Sequence, residues 1–118
     1  MRNVCPAGWH VPTCDDWTAL VDFLKGESVA GGKMKEKGTS HWVSPNTGAS
    51  DDYGFTALPA GYRFGGEFRE PGYYGIFWSS TEADADDGRI LDLISSSIQA
   101  YLEEAYKKDG YSVRCIKD

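Results

Sequence analysis

Apolar residues recur at helical spacing in one stretch with clear ends. Trp17, Leu20, Val21 and Leu24 repeat at three- and four-residue steps, the period of one helix face. Thr13 stands where an N-cap belongs, and Asp16 three residues on imitates a capping box. Pro12 bars helix at Val11 and Gly26 follows the last apolar position. The pattern predicts a helix over residues 14–25. A second, short helix is predicted over 29–35, with the Gly31-Gly32 pair counting against it.

From residue 38 to 75 the periodicity fails. Gly, Ser, Asn, Asp and Pro dominate there, and a segment this long needs something to pin it. Trp42, Tyr53, Phe55, Tyr62, Phe64, Phe68, Tyr73 and Tyr74 supply the means. Residues 55–59 and 62–64 predict short strands meeting at Ala60-Gly61. Further on, 76–80 predicts a buried strand and 89–94 a second. Residues 98–106 fit either state: Ala100, Leu102, Glu103, Glu104 and Ala105 favour helix by propensity, while Ile98, Ala100, Tyr101 and Leu102 fit a strand. Residues 111–116 alternate, Val113 and Cys115 on one side and Ser112 and Arg114 on the other, and predict a strand. Residues 4–11 predict a short strand or extended arm. No internal repeat is present.

The two ends match. Each carries one cysteine, Cys5 and Cys115, among apolar, strand-like residues. A Cys5–Cys115 bond would close nearly the whole chain into one loop, place the termini side by side and require an oxidising compartment. Cys14 is then left free, since three cysteines cannot all pair internally.

Length and charge narrow the picture. At 118 residues the chain is expected to be one domain with a real core. Twelve basic residues against 18 acidic ones give a net charge of −6, which argues against nucleic acid and anionic membranes. The only basic run, Lys33, Lys35 and Lys37, is expected to be a solvated face. No apolar stretch approaches the ~18 residues of a membrane span. Residues 1–3 lead into the fold without a signal peptide, so a paired Cys5–Cys115 would make this a domain of a longer exported protein.

Five ordered motifs carry a family resemblance. They are Val4-Cys5-Pro6-Ala7-Gly8-Trp9-His10-Val11-Pro12-Thr13 with Asp16-Trp17; Ala30-Gly31-Gly32-Lys33-Met34-Lys35; Gly54-Phe55-Thr56-Ala57-Leu58-Pro59-Ala60-Gly61-Tyr62-Arg63; Phe77-Trp78-Ser79-Ser80-Thr81-Glu82; and Gly110-Tyr111-Ser112-Val113-Arg114-Cys115. Together they resemble the Fibrobacter succinogenes major paralogous domain over essentially the whole chain. The resemblance implies an α+β, C-type lectin-like fold of the formylglycine-generating enzyme branch. That means two helices, a loop-rich middle, small antiparallel sheets and adjacent termini. It also implies an extracellular or cell-surface setting, commonly in a lipoprotein. The chain departs from the family pattern at Cys14 and over residues 83–108.

Candidate chemistry is sparse. Cys14 opens a helix, a setting that favours thiolate, but Asp15 and Asp16 oppose it and a stray or structural cysteine is the expectation. The copper-binding cysteine pair of formylglycine-generating relatives has no counterpart, because Cys115 is assigned to the disulfide. Cys5, His10 and Cys14 lack zinc spacing. Calcium is the one cofactor candidate, at the acidic loops holding Asp51 and Asp52 or Asp84 and Asp86; solvated acidic loops are the plainer reading. The twelfth position from Asp84 is Ser95 rather than Glu, so no EF-hand is formed, and the Glu-Pro-Asn and Gln-Pro-Asp sugar signatures are absent. Trp9, Trp17, Trp42 and Trp78 are expected in the core, with Tyr73, Tyr74 and Tyr101 less constrained. Arg63 and Arg114 fit buried pairing and ligand contact equally.

The expectation is an exported, non-enzymatic binding or adhesion domain recognising a protein or carbohydrate. Its surface is placed at Asp84, Asp86, Asp87, Arg89, Asp92, Gln99, Tyr101 and Glu103, within the divergent stretch held by a family-like frame. The alternatives are a structural module of a surface lipoprotein, a retroelement-diversified binding protein, or an enzyme related to the formylglycine-generating branch.

Overall fold

A computed structural model describes residues 4–118. Its elements run β1 (Trp9–His10), α1 (Cys14–Phe23), α2 (Glu27–Met34), β2 (Tyr62–Phe64), β3 (Glu67–Arg69), β4 (Tyr74–Glu82), β5 (Asp87–Ile94), β6 (Ala100–Tyr106) and β7 (Ile116–Lys117). The architecture is α+β: two helices and small antiparallel sheets, β1-β7, β2-β3 and β4-β5-β6.

The predicted capping box is present. Thr13 Oγ1 accepts from the Asp16 backbone N–H at 3.0 Å, and Asp16 Oδ2 accepts from the Thr13 N–H at 2.9 Å. Helix α1 buries Trp17, Val21 and Leu24, while Leu20 is only partly covered. It stops at Phe23, because Lys25 takes a left-handed φ of 79°. Helix α2 tolerates its glycine pair for a steric reason. A Cβ on Gly31 would lie 2.0 Å from the Gln99 carbonyl oxygen, so the helix backbone packs directly on the loop before β6.

The main core lies between the helices and one face of the β4-β5-β6 sheet. Phe77, Leu91, Leu93 and Ala100 meet Trp17, Val21, Leu24, Ala30, Met34, Trp42 and Ala57. The long middle segment is pinned by aromatics, as anticipated, but also by a buried cation. Lys35 is 0% exposed. Its ammonium donates to the carbonyls of Thr47 at 3.0 Å, Ile94 at 2.9 Å and Ser97 at 2.9 Å, and lies 5.4 Å from the Trp42 ring centroid. Trp42 Nε1 donates to Ala57 O at 2.9 Å. Burial lowers the Lys35 pKa to about 8, and the three acceptors favour the protonated form at neutral pH.

Several expectations are corrected. Of the basic run, Lys37 is exposed and Lys33 half-buried, but Lys35 is not solvated, since three carbonyls satisfy it where water would otherwise be needed. Trp9 is 43% exposed rather than core, because β1 is a two-residue edge paired only with β7. Residues 55–59 form no strand; Ala57 makes an isolated parallel bridge to Lys35 instead. Residues 111–116 are largely irregular, with Ser112 bridging Phe77 and only Ile116 and Lys117 in a strand. Strand β3 went unpredicted, and residues 100–106 resolve as a strand because β5 supplies a partner at every position.

Cys5 and Cys115 are bonded, with Cα atoms 5.9 Å apart, and Cys14 is free. Beside the bond, His10 bridges Asp118 at 2.6 Å and Asp16 at 3.0 Å. Both contacts raise its pKa, the Asp118 hydrogen bond most.

Two stability tests follow from this frame. Lys35→Met keeps the aliphatic stem but leaves three buried carbonyls unpaired, and should cost about 3 kcal/mol or more; urea unfolding measures it, and a loss under about 0.5 kcal/mol would show that the ammonium holds nothing. Cys115→Ser should cost about 2–5 kcal/mol, read from the same transition with and without reductant.

Candidate functional site

Alternation gives the β4-β5-β6 sheet two faces. Leu91 and Leu93 point to the helices, whereas Ile90 and Asp92 point away from them. Register places Ile76 and Tyr101 on either side of Asp92, and Trp78 and Glu103 on either side of Ile90. Directly opposed residues share a face, so this outer face carries an acid pair among apolar and aromatic side chains. Tyr62 and Tyr111 pack over its β4 side. Trp78 and Tyr111 lie 5.0 Å apart, Tyr62 and Tyr111 6.2 Å, and Tyr62 and Tyr74 6.1 Å.

Asp92 is the unusual member. It is 8% exposed, and its Oδ1 is buried with no hydrogen-bond partner. Burial, and then the charge of Glu103, push its pKa up to about 7. Asn46 Oδ1 is also orphaned, but the Asn46 amide donates to Glu36 O and Gly38 O and so has a structural role. The Asp92 carboxylate has no such bond among the described residues. Buried polar groups without partners are rare and call for an explanation.

A cavity of about 240 Å³ opens on the same face at the β4–β5 turn. Its origin is a register break: Ser79, Ser80 and Thr81 lie opposite the single residue Arg89. Such bulges re-aim side chains. Here Thr81 Oγ1 accepts from the Cys14 N–H at 2.9 Å, and Ser80 N–H donates to Pro12 O at 2.8 Å. The cavity is bounded by Trp78, by these hydroxyl residues, and by Glu82 paired with Lys107 at 2.8 Å. Lys107 holds the Glu82 carboxyl below its ordinary range. Gly88 keeps the Trp78 ring approachable, since a Cβ there would sit 2.8 Å from it.

The eight expected surface residues do not form one patch. Asp92, Tyr101 and Glu103 share the outer face, but Asp92 is buried rather than displayed, because β4 and β6 flank it on both sides. Arg89 points to the opposite side, 3.9 Å from Glu104. Asp84, Asp86 and Asp87 form the turn beside the cavity, with Asp84 Oδ1 accepting from the backbone N–H groups of Asp86 and Asp87 at 2.8 Å each. Those two bonds lower the Asp84 pKa. Gln99 lies apart, against Gly31. Of the calcium candidates, Asp51 accepts from Thr56 N–H and Oγ1 at 2.7 and 2.6 Å, and Asp84 closes its own turn. Asp52 is exposed, its backbone N–H bonded to Lys33 O. Among the described residues no group of three or more His, Cys, Asp or Glu could hold a metal. Arg114 stacks over Phe55 at 4.1 Å.

Sequence reasoning missed the cavity walls, Trp78 to Glu82, Gly88 and Lys107, having taken 77–82 for scaffold. The run Ser79-Ser80-Thr81, three hydroxyls interrupting an apolar strand, was the available signal for the bulge.

These features define a class: a disulfide-closed α+β domain whose main sheet buries one face under helices and carries aromatic and acidic side chains on the other. The chain belongs to the Fibrobacter succinogenes major domain family, whose model matches residues 1–117. Comparison with curated proteins and with solved structures finds no match.

The Asp92 environment sets a pH dependence. Its native pKa, about 7, lies above the ordinary 3.8, so the unfolded chain ionises first. Stability should therefore fall as pH rises from about 4 to about 7 and level off above. Asp92→Asn removes that decline and should be more stable than the parent at pH 8, by up to about 4 kcal/mol. Denaturant unfolding across pH measures it; equal pH profiles would show that Asp92 is not held neutral.

Proposed function

We propose that this is a non-enzymatic binding domain of C-type lectin-like fold, working outside the cell and engaging a protein or carbohydrate through the outer face of its main sheet. The supporting observation is Asp92 Oδ1, a buried acceptor that none of the described residues satisfies. An apolar residue there would be more stable, and costly polar groups of this kind cluster at functional sites. The open side lies toward β6, where Glu103 is exposed and Tyr101 half-buried. Two acids beside aromatic rings suit a ligand rich in donors, either cationic or hydroxylated. The neighbouring cavity, with an aromatic wall, hydroxyls and an ion pair, suits the same chemistry.

Adjacent β1 and β7, two helices and the long loop-rich middle support the lectin-like reading of the fold. The disulfide supports an oxidising compartment, and no helix of the described residues is long and apolar enough to cross a membrane. His10, the base a Cys14 nucleophile would need, has both ring nitrogens engaged by Asp118 and Asp16, which favours binding over catalysis.

The test uses a glycan array and a panel of lysine-containing peptides at pH 8, with the parent protein, Asp92→Asn and Gly88→Ala. A ligand retained by the parent should lose at least about tenfold in affinity on Asp92→Asn, roughly 1.4 kcal/mol, although that variant is the more stable protein. Gly88→Ala, which crowds the Trp78 ring, should weaken a ligand that enters the cavity. Binding indifferent to both changes would place the site elsewhere.

A further inference from the structure

The β2-β3 hairpin bounds a second concave site, which shares Tyr62 and Tyr111 with the outer face but adds Arg63 and Phe68. Arg63 is locked to Gly110 through its main chain in both directions, N–H to Gly110 O and Gly110 N–H to Arg63 O, each 2.8 Å. The hairpin is thereby held against the segment leading to Cys115. Between them lies a cavity of about 290 Å³ lined by Tyr62, Arg63, Phe68, Tyr111 and Ser112, among others. Small-molecule sites start near ~300 Å³, so this one suits a single ring rather than an extended chain.

Its charge is specific. Elsewhere Arg69 pairs with Glu67, Arg89 with Glu104 and Lys107 with Glu82. Arg63 forms no ion pair among the described residues; its guanidinium lies over the Phe68 ring at 5.4 Å. Phe68 is 81% exposed, a large aromatic face kept in water. Tyr111 OH donates to Asp109 at 3.1 Å, and Tyr62 OH points to Glu70 at 3.5 Å. Neither carboxylate lines the cavity, whereas Arg63 does. On a chain of net charge −6, an arginine with no ion pair among the described residues is a cation free to take an anion, and guanidinium is the planar donor that fits a carboxylate in a forked pair.

We propose that this cavity binds a ring bearing a carboxylate, Arg63 taking the carboxylate and Phe68 covering the ring. A uronic acid and a free aromatic acid share that chemistry. The experiment titrates isotope-labelled protein with sodium glucuronate, sodium benzoate, glucose and benzyl alcohol, following amide shifts. Saturable shifts at Arg63, Phe68, Tyr111 and Ser112 are expected with one or both acids and not with their neutral counterparts. Response to glucuronate alone assigns the saccharide source, and response to benzoate alone the aromatic one. Arg63→Gln should weaken binding at least tenfold and Arg63→Lys by less. Phe68→Ala, at an exposed position, gives a second reading if Arg63→Gln fails to fold. No saturable shift in the millimolar range, equal shifts from the neutral compounds, or undiminished binding in Arg63→Gln and Phe68→Ala would overturn the proposal.

Discussion

A single buried ammonium organises the middle of this protein. Lys35 stands at the end of α2, yet its three acceptors come from the long loop and from the β5–β6 connection, 12, 59 and 62 residues away. Removing a charge from water costs several kcal/mol even after relaxation. Here three carbonyl dipoles and the face of Trp42 offset that cost only if all converge. The loop, the helix end and the sheet turn must therefore adopt one arrangement together. An apolar residue could fill the same volume, but it could not require three separate backbone segments to meet at one point.

That constraint explains how so much irregular chain is held. Residues 36–61 contain no strand or helix, yet Trp42, Asn46 and Ala57 are buried; Asn46 and Ala57 bond to the backbone of Glu36 and Met34 beside Lys35, and Trp42 bonds to Ala57. The Cys5–Cys115 bond acts on a different quantity. It ties the ends across 110 residues and so restricts the unfolded chain, while Lys35 selects among compact folded arrangements.

The other side of the sheet holds a smaller cluster, Ile76, Trp78 and Ile90 with Tyr62, Tyr74 and Tyr111 packed against it, and one residue there does not fit it. Leu91 and Leu93 are fully buried against the helices; Asp92, between them in sequence, faces away with an orphaned oxygen. A strand interior that accepts such a residue loses stability. Binding would supply the missing partner and recover it, by the same linkage that couples any native-state ligand to folding. The bulge at Ser79–Thr81 adds to the contrast. It interrupts a strand that could have been regular, and the interruption forms the cavity beside Trp78.

What the sequence determined by itself was local or covalent. The Thr13–Asp16 cap and the Trp17–Val21–Leu24 stripe are each set by residues three or four positions apart, so propensity and spacing suffice to read them. The cysteine pair and the family motifs were equally legible, because they depend on residue identity. Tertiary structure decided the rest. Lys35 and Lys37 look alike in the chain, and only the distant carbonyls that converge on one of them make it core. Asp92 and Arg89 were expected on one surface; strand alternation already puts them on opposite faces, and only the packed surroundings bury Asp92. Strand β6 was undecided between helix and strand until β5 lay beside it. In each case the deciding partner is remote in sequence, and hydrogen bonding and desolvation are properties of the assembled surroundings rather than of the residue.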